Sequence, residues 1–247
     1  VVWRDVATRS TQNRVGLRNP GVHAAAAFLA RHRAQLPPQF GINIAVSPGV
    51  DDPDRQTDEI LAGLAAFTER GVYPAWFTLN LSCPNTEDDP RGNQSAELAR
   101  QLAGAAVQHL HAVSASAGRD VPLWVKVGPG LSDAQYRALL GACEEARVAA
   151  IVATNTLPLP APGDPALTAG AGGGLLHDHA VAAASVLLDE KARRASPVDI
   201  IGCGGVLDGP TYRDFAARGT AAVQYWSALV FRGPLAAALI ASEAQRP

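Results

Sequence analysis

Three observations predict a (β/α)8 barrel of the TIM type, a ring of parallel strands each followed by a helix. Strand-length apolar runs alternate with helix-length segments seven times along the chain. The runs, such as Ala150-Ile151-Val152-Ala153 and Ile200-Ile201, are continuously apolar, as parallel strands covered on both faces must be. Regular alternation over 247 residues also fits one barrel of about 250 residues better than a doubly wound sheet. Seven units are one short of eight. The sequence contains no methionine, so Val1 is not a translation start. The simplest expectation is a single domain over residues 1–247, N-terminally incomplete, with the first βα unit upstream.

Each element has its own signal. Residues 1–8 mix apolar and charged side chains and read as a strand, and residues 9–19 are polar and turn-like, closed by Asn19-Pro20-Gly21. An alanine-rich helix over 23–35 ends at Pro37-Pro38. A short apolar strand covers 41–46, and a helix over 57–70 carries Asp58 and Glu59 in its favourable first turn. After a strand beginning at Phe77 and a polar loop over 87–93, a long helix is expected over 95–116. Residues 121–127 form a strand, and Ser132-Asp133 caps a helix reaching Arg147. A strand over 149–154 leads into a Pro/Gly-rich loop of about twenty residues ending at Gly174, long enough to suggest a functional lid. Helix 180–195, strand 199–203, helix 210–218, strand 221–226 and helix 234–244 complete the order.

Composition excludes several function classes. Lysine plus arginine number 21 against 23 acidic residues, a net charge of −2, so no basic field invites nucleic acid. No run approaches the roughly 18 apolar residues that span a bilayer. Three cysteines, an odd number, argue for reduced thiols in the cytoplasm rather than a disulfide framework.

In such barrels chemistry gathers at the C-terminal ends of the strands. The stretch Phe77-Thr78-Leu79-Asn80-Leu81-Ser82-Cys83-Pro84-Asn85 is the richest of these ends. Alternation puts Thr78, Asn80 and Ser82 on one face, and Pro84 stops the strand near Cys83. A thiol there can act as nucleophile or base, and the amides of Asn80 and Asn85 can grip a planar polar ring. The plainer alternative is a small core cysteine between turn-forming asparagines.

The other strand ends supply Asn43, Lys126, Thr154, Asn155, Thr156, Gly204, Gly205, Trp226 and Ser227. Lys126 lies in the apolar run Leu123-Trp124-Val125-Lys126-Val127, where a lysine needs an anionic partner or loses its charge. Gly202-Cys203-Gly204-Gly205 and Ser227 follow the seventh and eighth expected strands, the recurrent phosphate site of the barrel. A phosphate-bearing cofactor is implied. His177 and His179 read as solvated loop residues rather than metal ligands, and no metal site is expected. His109 and His111 face different directions, Cys143 reads as core, and Glu87, Asp88 and Asp89 read as a solvated loop.

These strings resemble the dihydroorotate dehydrogenase family. Asn80-Leu81-Ser82-Cys83-Pro84-Asn85, Val125-Lys126-Val127, Ala153-Thr154-Asn155-Thr156, Gly173-Gly174-Leu175, the stretch 202–206, Val223-Gln224 and Gly233-Pro234 follow that family's order and spacing. The stretch 13–21 is similar to the family's segment before its second barrel helix. The resemblance covers residues 13–235 and implies FMN over the barrel mouth and oxidation of dihydroorotate to orotate in pyrimidine synthesis. It implies that Cys83 removes the C5 proton while hydride passes from C6 to flavin N5. Asn19, Asn80, Asn85, Asn155 and Thr156 are implied to hold the substrate. Lys126 is implied to face the flavin N1/O2 edge, where negative charge develops. Asn43, Asn80, Thr154, Gly174, Gly204, Gly205, Trp226 and Ser227 complete the implied FMN set.

There are departures from the family pattern. Its first strand is absent, the hairpin between Thr8 and Asn13 looks very short or missing, and Leu176-His177 replaces the usual Ser-Gly. Trp226 stands where a tyrosine is usual. Cys83 resembles the soluble class, whereas Asn85-Thr86 and the Val-Lys-Val run resemble the membrane-associated, quinone-using class. The electron acceptor therefore stays open among quinone, fumarate and others. A homodimer is an option, as is a peripheral position at the inner face of a membrane. A flavoprotein for another dihydropyrimidine and a degenerate non-catalytic barrel subunit are the alternatives.

Overall fold

The computed structural model describes residues 1–81 and 95–246. Among them, six parallel strands form one curled sheet: β3 (Gly41–Ala45), β4 (Trp76–Asn80), β5 (Leu123–Val127), β6 (Ala150–Ala153), β9 (Asp199–Cys203) and β10 (Ala222–Gln224). Each pairs with its successor in the chain, in the order β10-β9-β6-β5-β4-β3. That order never reverses, which is barrel winding rather than the two-way winding of an open sheet. The helices follow the strands: α1 (Val22–Arg31), α2 (Pro53–Thr68), α3 (Ala96–Ala112), the short α4 (Ser114–Ala117), α5 (Asp133–Glu145), α6 (Gly174–Arg194), α7 (Gly209–Ala216), α8 (Ser227–Arg232) and α9 (Ala236–Ala244).

The strands' two faces go to different places. Phe77, Leu79, Val125, Val127, Ile151 and Ile200 are buried under the helices, in one cluster with Leu64, Leu102, Leu139 and Leu187. Ala150, Val152 and Ile201 form a separate inner cluster with Trp124 and Cys203. Trp76 stacks on Trp124 at 4.3 Å between ring centroids. Alternation thus sends Thr78, Asn80, Trp124 and Lys126 to the inner face, with Asn80 and Lys126 in direct register.

Local chemistry explains the helix starts. Asp52 caps α2 by accepting from the Arg55 N–H, with Pro53 at the first helical position. Ser132 and Gln135 make a reciprocal capping box on α5, and Asp208 with Thr211 does the same on α7. α6 begins at Gly174, before the expected position near residue 180, with no side-chain cap from its own Gly173. Its Leu175 N–H is instead satisfied by Ser10 Oγ at 3.0 Å, from 165 residues away.

Two expectations are corrected. Residues 1–8 are not a barrel strand: β1 (Val2–Asp5) and β2 (Ser10–Asn13) form an antiparallel hairpin, so the hairpin is present and the described parallel strands number six rather than seven. The presumed lid is also a hairpin, β7 (Leu157–Ala161) and β8 (Asp164–Gly173), and β8 pairs with β2. Together they make a second, antiparallel sheet in the order β1-β2-β8-β7. Further, residues Ser227–Ala244 are long and apolar enough by length and composition to cross a membrane. Individual charges, Arg232 and Glu243, hid this from a run-length reading. In the fold the stretch is broken by a 3-10 turn at Gly233–Leu235 into α8 and α9.

Candidate functional site at the strand ends

β2, β8 and the ends of β5, β6, β9 and β10 enclose a cavity of about 430 Å³. Its walls include Lys126, Thr154, Asn155, Thr156, Gly204, Gly205, Trp226 and Ser227, all singled out by sequence. They also include Thr11 and Gly172, which were not, and Cys203 and Gln224, which the sequence marked only as members of longer strings. Asn80 joins through Asn155, whose Nδ2 donates to Asn80 Oδ1 at 3.2 Å. The Asn155 Oδ1 accepts from the Thr156 N–H at 2.8 Å, and the Asn155 N–H donates to Val127 O at 2.8 Å. These bonds fix which way the Asn155 amide points.

Asn19 and Asn43 line a second cavity, of about 670 Å³, between α1, α2 and β3. Gly174 lies outside the first cavity's wall. A Cβ there would sit 2.2 Å from Thr8 O, so close packing against the hairpin accounts for this glycine. Cys83 and Asn85, with Ser82 and the acidic run 87–89, lie outside the described residues.

Lys126 is half-buried, and its Nζ donates to Cys203 Sγ at 3.6 Å. Among the described residues no carboxylate pairs with it. A half-buried ammonium answered only by a weak sulfur acceptor suits an anionic or electron-rich ligand. Thr156 Oγ1 is buried without a hydrogen-bond partner among the described residues, an open polar valence on the cavity wall. A side chain added at Gly172 would enter space shared with Ser227 Oγ at 3.5 Å and Thr11 Oγ1 at 3.7 Å, so the missing side chain leaves the cavity open. Gly205 adopts φ +66°, and a Cβ there would fall 2.6 Å from both Gly173 O and His177 Cβ.

The second sheet ties the rim down. Thr11 Oγ1 and Ser227 Oγ share a buried hydrogen bond of 2.8 Å. Arg9 reaches Asp208 at 2.7 Å. Burial pushes the Asp208 carboxyl up, but hydrogen bonds from Thr211 and Arg9 outweigh it and leave it below the usual carboxylate range. His177, read from sequence as a loop residue, stands in the first turn of α6 beside Asp214.

A family model described as dihydroorotate dehydrogenase matches residues 4–246. This chain belongs to the dihydroorotate dehydrogenase family. It is 33% identical over 230 residues to a dihydroorotate dehydrogenase (quinone) of Bordetella avium, covering 90% of this chain and 63% of that protein. Proteins of the same name from Stenotrophomonas maltophilia and Leifsonia xyli are 35% and 34% identical, covering 90% and 95% of this chain and 62% and 66% of theirs. The chain thus spans a little under two thirds of these relatives. The ligand-free dihydroorotate dehydrogenase of Eimeria tenella superposes with a TM-score of 0.82 over 98% of this chain and 71% of that one. A complex of that enzyme with ferulenol gives 0.80, over 98% and 68%. Both are 22% identical to this chain, a likeness of fold. The barrel reading holds.

Proposed function

We propose that this protein is a flavin-dependent dihydroorotate dehydrogenase, with FMN in the 430 Å³ cavity. The observation that carries the reading is convergence: an ammonium and a buried hydroxyl that find no carboxylate and no partner, respectively, among the described residues line one cavity with a bare glycine turn, in a barrel of that family. Lys126 and Thr154 would meet the ring system, and Gly204, Gly205, Trp226 and Ser227 the side chain and phosphate. FMN bound there supplies a two-electron acceptor for the substrate's C5–C6 oxidation.

The chain's own groups do the rest. Lys126 opposes negative charge as it develops next to it. Asn80 and Asn155, mutually oriented, present amide donors and acceptors to a planar pyrimidine, with Thr156 Oγ1 able to complete the set. Cys83, in the motif Asn80-Leu81-Ser82-Cys83-Pro84-Asn85, serves as the base for the C5 proton. The relatives' names support quinone as the final acceptor.

The test is the visible spectrum of the purified protein and its bleaching by dihydroorotate. A yellow protein that dihydroorotate bleaches under anaerobic conditions is expected. Lys126→Met should bind FMN more weakly and bleach about 100-fold more slowly. A folded, colourless protein that refuses added FMN overturns the reading.

A further inference from the structure

The turn Gly204-Gly205 is held from behind by a side chain with no assigned role. His177 Nε2 lies 2.9 Å from Asp214 Oδ2 on α7, and its Nδ1 lies 3.4 Å from the Gly204 carbonyl oxygen. The ring stands edge-on to Phe215 at 5.7 Å, and its side chain is only 12% exposed. Both polar neighbours are acceptors. A neutral imidazole has one N–H and can satisfy one of them; only the imidazolium donates to both.

The peptide between Gly204 and Gly205 transmits this choice. In a planar trans peptide the carbonyl and the following N–H point in opposite directions. A Gly204 carbonyl drawn toward His177 therefore turns the Gly205 N–H away from it. Gly205 lines the cavity on one side and packs on His177 Cβ on the other.

We infer that His177 is a positioning residue for a phosphate monoester: as an imidazolium bridging Gly204 and Asp214, it aims the Gly205 N–H into the cavity and adds positive charge behind it. This rests on the FMN reading above.

Other charges on the surrounding elements are engaged elsewhere or on the surface. On α7, Arg213 donates to the carbonyls of Glu243, Ala244 and Arg246, and Arg218 to that of Asp214. Asp208, ahead of α7, pairs with Arg9 from the first hairpin. On α6 itself Asp178 and His179 are exposed. Cys203 ends β9 beside Lys126. Asp214 is the carboxylate that meets the ring.

The experiment compares FMN with riboflavin, which lacks the phosphate, by flavin fluorescence titration of the parent, His177→Gln and Asp214→Asn. The ratio of parent to His177→Gln affinity cancels the titration of FMN's own phosphate. From about pH 8 down to about pH 5.5, that ratio should rise about 5- to 10-fold for FMN and stay flat for riboflavin. Asp214→Asn should lose most of the rise. A ratio independent of pH, or one that changes equally for riboflavin, overturns the inference while leaving the flavin site standing. Failure of both flavins to bind the folded parent overturns the flavin reading and this inference together. Should His177→Gln not fold, ¹⁵N spectra of the parent's imidazole rings decide. Protons on both His177 nitrogens in the FMN-bound protein, released on alkalinisation with loss of FMN, support it; a ring with one proton at every pH overturns it.

Discussion

Asn155 and Asn80 are bonded to one another across the end of β5: Nδ2 of the first donates to Oδ1 of the second at 3.2 Å, above Lys126 in register with Asn80. Each amide is therefore oriented by the other. Asn80→Ala and Asn155→Ala should each lower kcat/KM for dihydroorotate, and their effects should not add. A double-mutant cycle should show coupling of roughly 0.5–3 kcal/mol. Strict additivity would mean that the two amides bind substrate independently.

Cys83 can be tested by reduction kinetics. Cys83→Ala should keep its flavin and slow reduction by dihydroorotate by about 10²- to 10⁴-fold, the usual worth of a general base. Cys83→Ser should be slow near neutrality and recover partly at higher pH, because a hydroxyl gives up its proton far less readily than a thiol. Parent-like reduction by Cys83→Ala would move the base elsewhere.

The other two thiols should part company under alkylation. Burial pushes the Cys143 thiol up to about 12, so at neutral pH it stays protonated and enclosed. Cys203 opens onto the cavity. Iodoacetamide followed by peptide mass spectrometry should label Cys203 in the native protein and Cys143 only after unfolding. Added FMN should slow the Cys203 reaction. Equal native labelling of both sites contradicts the buried placement of Cys143.

Glu243 should give stability an acid limb. Hydrogen bonds from the Arg232 guanidinium and the Gly209 N–H hold its carboxyl down at about 2. Its ordinary value is about 4.3. A folded-state value below the unfolded one stabilises above pH of about 4.3, and the contribution is lost as pH falls toward about 2. Urea unfolding of Glu243→Gln should show a deficit at neutral pH that shrinks steadily below about pH 4.5. A deficit unchanged by acid would assign it to packing instead of charge.

How much of this was legible beforehand depends on where each signal lay. Strands buried on both faces, such as Ile151-Val152 and Ile200-Ile201, announce themselves in any short window, and so the barrel order was readable. Lys126 stood out because a cation interrupts such a run. The β7–β8 hairpin was missed because Pro158 and Pro160 look like breakers; β7 is the outer strand of its sheet, where missing N–H donors cost little. The start of α6 was missed because its second N–H is met by Ser10, far away in sequence. Thr11, too, was invisible, since nothing local links it to Ser227, 216 residues on. His177 was discounted for want of a metal partner, when its partner is a carboxylate on α7.

The pairing of β2 with β8 sets a folding order. Residues Ser10, Thr11, Gln12 and Asn13 meet Gly173, Gly172, Ala171 and Gly170, and Thr11 then meets Ser227. Neighbouring strands and helices of the barrel can dock as the ribosome delivers them, since their contacts are short-range. The cavity cannot, because its walls are drawn from residues as far apart as Thr11 and Ser227. A nascent chain that has not yet released Ser227 lacks part of the pocket's wall, so a ligand captured there would mark a molecule in which everything from β2 through the start of α8 has already emerged.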